Sequence, residues 1–488
     1  NPILYITFDP HRRTHQGDRS RRNLGGLYNI RERLLSGSMG LIFHKNLSRN
    51  VFIIAYPVAL GMFAQTFINL LETAFVGRLG EGTEACLAAV GLGIITLWIV
   101  GGFFNSISIG TLSMAARRFG EKNEEACGRV AFNSLTLALI LGAGCALGGY
   151  FVTPLVFPYL SPDPKVVARG IPFLQIRFLG LFPFLLTVSY KSFFDSLGKT
   201  KVFMVTAIIM NIVNAFLCWV LIFGYWGFPR WELKGAAAAA SISSAVGTMC
   251  MFSTSLFGKY RKRFRYYHIS NFDPRIMREI LRISLPAGIT ATMTTIGFGL
   301  FLWIIGHIGT VEQAASNVTI QIASLFFLPC IGLGTASATL VGQNLGAKSP
   351  EKATSYGWEA VKLGVLIMGS AGAVAFAFPE HIIRVFTPDE NVVRAGIISI
   401  RILGAFQTFQ AAALIFTQSL LGAGASKFVM TVELILHYLF FVPLTYVFGI
   451  VCGLGIFGAW SAAMCYVIVL SIVMGLKFWE GGWKYIKI

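Results

Sequence analysis

Glu72 sits among Leu70, Leu71, Ala74, Phe75 and Val76, inside an apolar stretch bounded by Pro57 and Gly80. An ionisable group in such a stretch costs about 2.5 kcal/mol or more at the centre of a bilayer, so it marks a functional site by default. The chemistry open to it is the binding and release of a proton or another small cation. The plainer alternative is a carboxylate wetted at the end of its segment or paired with Arg78. Asn211 and Asn214 are three apart on a later apolar segment and share a helix face. They can hydrogen-bond a neighbouring helix, or orient Glu72 and complete a cation shell with amide oxygen. Glu433 and His437, four apart, form a second polar pair. It can relay protons, because His titrates near neutral pH, or it can be a static bond between helices. The eight cysteines are scattered without a CxxC pair and read as small apolar packing residues rather than a metal site. No cofactor or metal is expected.

The elements that must carry these groups are membrane spans. The chain is 55% hydrophobic and only 13% charged, with a mean hydropathy of +0.67, whereas soluble domains carry about 25% charged residues. Twelve segments are long enough to cross a bilayer, near 50–76, 86–117, 126–151, 167–195, 202–224, 235–257, 283–306, 314–342, 355–378, 393–421, 428–449 and 455–478. They are spans 1 to 12 below. The predicted fold is all-α and integral to the membrane.

The sequence is written twice. Pro57 matches Pro286, Phe119-Gly120 matches Leu345-Gly346, and Ile176-Arg177-Phe178-Leu179-Gly180 matches Ile400-Arg401-Ile402-Leu403-Gly404. Lys201 matches Lys427, and Gly235 matches Gly458. Phe301 therefore stands where Glu72 stands in the first copy. Six spans per copy is an even number, so the copies cross in the same direction and an axis along the membrane normal relates them. The expected organisation is a basic, disordered tail (1–48), a first lobe (49–258), a basic linker (259–281), a second lobe (282–479) and a short tail (480–488). The first tail lacks an apolar run that would make a secretory signal, and it can include sequence upstream of a start near Met39. Pro57 and Pro286 are expected to bend spans 1 and 7. The matched Arg177 and Arg401 suggest a shared structural task, and Lys191 with Asp195 a local ion pair.

The net charge of +18 would suit nucleic acid, but its location excludes that partner. Most of the 40 Lys and Arg fall in the tails and in the loops after the even-numbered spans. Basic segments beside spans mark the cytoplasmic leaflet and its anionic lipid. Both termini are accordingly expected in the cytoplasm, in an inner or plasma membrane, with the protein a monomer among membrane lipid.

The chain resembles the multidrug and toxic compound extrusion (MATE) family of secondary transporters. The resemblance rests on Pro57 ahead of Glu72, on Val76-Gly77-Arg78-Leu79-Gly80, and on Ser196-Leu197-Gly198-Lys199-Thr200-Lys201 before span 5. It continues through Asn214 ahead of Gly224, Gly235-Ala236-Ala237-Ala238-Ala239, and Val341-Gly342-Gln343-Asn344-Leu345-Gly346-Ala347, covering about residues 48–478. It implies two six-helix bundles around a central cavity. It also implies efflux of small amphipathic, often cationic compounds, driven by inward H⁺ or Na⁺. The family's coupling positions fall here on Glu72, Asn214, Cys218 and Ala240, and those of another branch on Thr294 and Gln410. With acid and Thr replaced at Cys218 and Ala240, H⁺ is favoured over Na⁺. Gln65, Asn69, Thr294, Gln321 and Gln410 are the candidate lining of the substrate cavity, among Phe and Met side chains that adapt to varied ligands.

Two rivals are set aside on residues. A lipid-linked oligosaccharide flippase of the related superfamily would line its cavity with cations to meet pyrophosphate, and the spans hold only Arg177, Lys191, Lys362 and Arg401. An integral-membrane enzyme such as a prenyl transferase would need acidic Mg²⁺-binding clusters like DxxxD, which the spans lack.

Overall fold

The computed structural model describes residues 43–77 and 83–488, and all regular structure among them is helical. The first tail before residue 43 and the segment Arg78-Leu79-Gly80 lie outside the described residues. Twelve helices are long and apolar enough to cross a membrane. In the first half they are the helix Lys45–Val76, then Glu84–Gly120, Glu124–Leu160, Pro164–Ser196, Lys201–Phe223 and Glu232–Leu256. In the second half they are Pro274–Ile308, Thr310–Gly346, Pro350–Ala377, Glu390–Gly422, Ser426–Val451 and Gly455–Glu480. These bounds carry the predicted spans, several lengthened by one to three turns. A helix satisfies every backbone donor and acceptor within itself, which lipid requires.

The starts of the helices are written locally. Asn123 accepts from the Ala126 amide at 3.0 Å, Asp163 from Lys165 at 2.8 Å, Asp273 from Arg275 at 2.8 Å, and Asp389 from Asn391 at 2.8 Å. Each side-chain oxygen satisfies an amide that the first turn leaves open. Pro57 and Pro286 lie inside unbroken helices. Interruptions fall elsewhere. Span 2 breaks at Ser106 into Thr83–Asn105 and Ile107–Gly120. Span 11 passes through two π-helical segments, Leu436–Phe441 and Val447–Val451.

The end of the molecule that carries the basic loops is where the two halves meet most closely. A Cβ on Gly120 would lie 1.8 Å from the Gln343 carbonyl oxygen, and a Cβ on Gly346 would lie 1.9 Å from that of Arg117. Gly120 and Gly346 are matched positions of the repeat, and so are Arg117 and Gln343. The contact is therefore reciprocal, as a twofold relation demands, and only glycine permits it. Nearby, Thr200 Oγ1 donates to the Ile54 carbonyl at 2.9 Å, and Gln343 Nε2 donates to the Ser196 carbonyl at 2.7 Å.

The segment between the halves is docked. Asn133 of span 3 donates to the Asn271 carbonyl at 2.7 Å and accepts from the Asp273 amide at 2.9 Å. Arg263 pairs with Glu124 at 2.5 Å and Arg265 with Glu125 at 3.5 Å. Phe264 and Tyr266 are buried beside Phe193, both meeting its ring edge-on.

Candidate functional site

Spans 1, 2, 4, 5 and 6, with Thr295 of span 7, line a cavity of about 430 Å³ whose wall includes Glu72, Arg177, Asn211 and Asn214. The volume is in the range of small-molecule sites. Glu72 is 8% exposed, so the carboxylate is a buried group on the wall of this cavity. Its electrostatic partner is Arg177 of span 4, whereas Arg78 lies outside the described residues. Asn214 donates to Ser243 Oγ at 3.2 Å and accepts from the Cys218 thiol at 3.1 Å. Its amide is thus fixed by spans 5 and 6. The Asn211 amide nitrogen is buried with no hydrogen-bond partner. Cys218 is within electrostatic reach of both Glu72 and Arg177, and Ala240 forms part of the wall. The four positions Glu72, Asn214, Cys218 and Ala240 therefore converge, with Arg177 added to them.

A second cavity, of about 270 Å³, shares Gln65, Asn105, Phe184, Met210 and Asn211 with the first. It lies nearer the basic end and reaches Lys191 and Asp195 of span 4. Thr335 of span 8 and Gln418 of span 10 close it from the second half. Asp195 is fully buried and accepts from Lys191 at 2.8 Å. Lys191 also sits 4.9 Å from the Phe203 ring centre, a contact that favours a cation.

The remaining candidates divide. Gln65 lines both cavities, and the side chain of Asn69 is outside the described residues. Thr294, Gln321 and Gln410 line neither cavity, while Thr295 lines the first and Gln418 the second. Arg177 and Arg401, matched in sequence, part company. Arg177 faces Glu72, whereas Arg401 is exposed on the outer surface of its helix.

Glu433 and His437 do not form a pair among the described residues. His437 opens into the π-helical segment Leu436–Phe441, and a wider helical turn shifts side chains off the ordinary i,i+4 register. Its Nδ1 lies 3.3 Å from the Tyr466 hydroxyl, and its Nε2 has no partner. The ring packs so closely on Gly297 that a Cβ there would sit 2.2 Å from Nε2. Phe298, Phe441 and Tyr466 surround it with centroids 5.5, 5.0 and 5.1 Å away. The histidine is a packed core residue. Arg177 is the site residue that sequence reasoning missed, and its spacing from Glu72 along the chain carries no signal of their meeting.

The MatE family model matches the chain twice, over residues 57–220 and 286–447. A Thermotoga maritima protein described as a probable multidrug resistance protein NorM is 28% identical over 430 residues, covering 86% of this chain and 89% of that one. A Brucella suis protein of the same description is 25% identical over 437 residues, 87% of this chain and 91% of its own. Among solved structures, an outward-facing multidrug resistance MATE family transporter of the MOP superfamily superposes with a TM-score of 0.82 at 22% identity, covering 89% of this chain and 97% of that one. A MOP superfamily transporter from Pyrococcus furiosus also gives 0.82 at 22% identity, over 89% and 95% of the two chains. The two matched stretches begin at Pro57 and Pro286, the prolines that open the two copies, and together they span more than half of the sequence: the chain belongs to the MatE family, the multidrug and toxic compound extrusion transporters.

Proposed function

We propose that the protein is a secondary active efflux antiporter that exports small amphipathic, often cationic compounds in exchange for H⁺. The observation that carries the reading is Glu72, a buried carboxylate on the wall of a cavity large enough for an organic molecule. A proton entering from outside neutralises Glu72 and a proton leaving to the cytoplasm restores the anion, so the group reports which side the cavity faces. Na⁺ would want several oxygens. Here Asn214 Oδ1 is already engaged by Cys218, and Arg177 on the same wall repels a second cation. H⁺ is the ion these residues suit.

Charge bias sets the orientation. With the basic loops in the cytoplasm, both termini are inside, and the reciprocal Gly120 and Gly346 contact closes the cytoplasmic end. The lobes 49–258 and 282–479 then alternate by parting there and closing at the other end. The relatives named for multidrug resistance support the substrate class.

The test is ethidium transport in proteoliposomes with pH and Na⁺ gradients imposed separately. Acidification alone should drive it. Glu72→Gln should lower pH-driven transport by more than about tenfold while the protein inserts normally. Unchanged pH-driven transport in that variant removes Glu72 from the mechanism.

A further inference from the structure

Asp195 is the other acid on this polar route, and the static ion pair expected from its spacing to Lys191 does not exhaust it. One carboxylate oxygen, Oδ2, takes the Lys191 ammonium at 2.8 Å. The other, Oδ1, is buried with no hydrogen-bond partner, in a side chain that lines the second cavity. A buried carboxylate oxygen left unbonded is costly, and such a group points to a ligand. The second observation is position. The backbone of the same turn is held by the second half, through Thr339 Oγ1 to the Asp195 carbonyl at 3.1 Å and Gln343 Nε2 to the Ser196 carbonyl at 2.7 Å. Parting the halves at the basic end breaks these bonds and admits water to Asp195. Closing them buries it again.

The groups facing Asp195 are otherwise uncharged. Span 4 itself supplies Lys191. Span 5 supplies the Phe203 ring over Lys191, and span 8 supplies Thr339 and Gln343. Asn105 of span 2 and Gln418 of span 10 share the cavity. No second cation or acid acts on it among the described residues.

We propose that Asp195 is a second proton-binding carboxylate of the transport cycle, the one from which the antiported proton leaves at the basic end. This rests on the antiport reading of Glu72. In the step concerned, the O–H bond of protonated Glu72 breaks and its proton passes through water in the joined cavities to Asp195 Oδ1. Glu72 is left as the anion facing Arg177, and Lys191 keeps its charge throughout. When the basic end opens, the proton leaves to bulk water and the Lys191–Asp195 ion pair is restored.

The experiment compares two assays on the full chain in proteoliposomes: ethidium uptake driven by a pH gradient, and ethidium exchange across equal pH on both sides. Asp195→Asn should lose pH-driven transport by more than about tenfold yet keep exchange within about threefold. Asp195→Glu should restore the drive with an altered dependence on the pH of the basic-end compartment. Removing one member of a buried pair strands the other, so the double variant Lys191→Gln/Asp195→Asn is the check on folding and should behave as Asp195→Asn. Wild-type pH drive in Asp195→Asn or in the double variant overturns the proposal, and so does equal loss of drive and exchange in both. Glu72→Gln run in parallel separates the two readings. If that variant keeps pH drive, proton antiport through Glu72 fails. If it loses drive while the Asp195 variants keep it, only Asp195 falls.

Discussion

The two halves share a scaffold and differ in what fills it. In the first, the turn around Glu72 faces a cavity of about 430 Å³. In the second, the matched Phe301 is 1% exposed, stacked on Phe441 at 5.3 Å and edge-on to Trp460 at 5.6 Å. His437 and Tyr466 complete this aromatic plug. Stacked and edge-on rings of this kind add about 0.5–1.5 kcal/mol per pair beyond their burial. Around these matched positions the first copy is polar and hollow and the second aromatic and filled. What the copies retain in common is the interface between them, where Gly120 and Gly346 occupy equivalent places.

Five variants probe that contrast. Gly120→Leu attacks what the halves share. Its side chain cannot fit against the Gln343 carbonyl, so the closed basic end is lost, and transport should fall by more than about tenfold. Cysteine accessibility from the basic side should rise in the same variant, and unchanged accessibility would show the contact to be dispensable. Phe301→Ala attacks the plug. It should cost about 3–5 kcal/mol, read as a lowered unfolding temperature in detergent, with the pH dependence of transport unmoved. Altered pH dependence would mean that the second interior takes part in coupling. Cys218→Asp with Ala240→Thr places an acid and a hydroxyl beside Asn214, and transport should respond more strongly to an imposed Na⁺ gradient than it does in the parent. Last, Arg177→Gln removes the cation facing Glu72. Dicationic relative to monocationic substrates should then improve by about two- to fivefold, whereas Arg401→Gln, on the outer surface, should leave that ratio alone.

Much of this was readable in the chain because lipid narrows the choices. Twelve apolar runs, caps such as Asp163 and Asp389, and a repeat in step from Pro57 with Pro286 to Gly235 with Gly458 leave little freedom in architecture. Glu72 stood out because a charge in hydrocarbon is expensive. The lining residues were harder. One step along a helix turns a side chain by about 100°, and rotation of a long helix is set by its neighbours. Thr295 rather than Thr294 reaches a cavity for that reason, and Gln418 rather than Gln410 because it stands about two turns further along span 10, toward the basic end. Equivalence in the repeat also misled, since Arg177 and Arg401 keep matched places on their helices but meet different surroundings. The pairing expected of Glu433 and His437 assumed an ordinary helix, and the wide turns of span 11 have no clear mark in the sequence.

The docked segment between the halves bears on where the molecule can flex. Asn133 grips the chain on both sides of Phe272, and Glu124 and Glu125 hold Arg263 and Arg265. Mechanically, then, residues 258–273 travel with the first half as part of its body. The start of Pro274–Ile308 continues that attachment, with Ile280 and Ile283 in the same core as Phe193 and Phe264, so lengthening the stretch before it would loosen an anchorage without lengthening a tether.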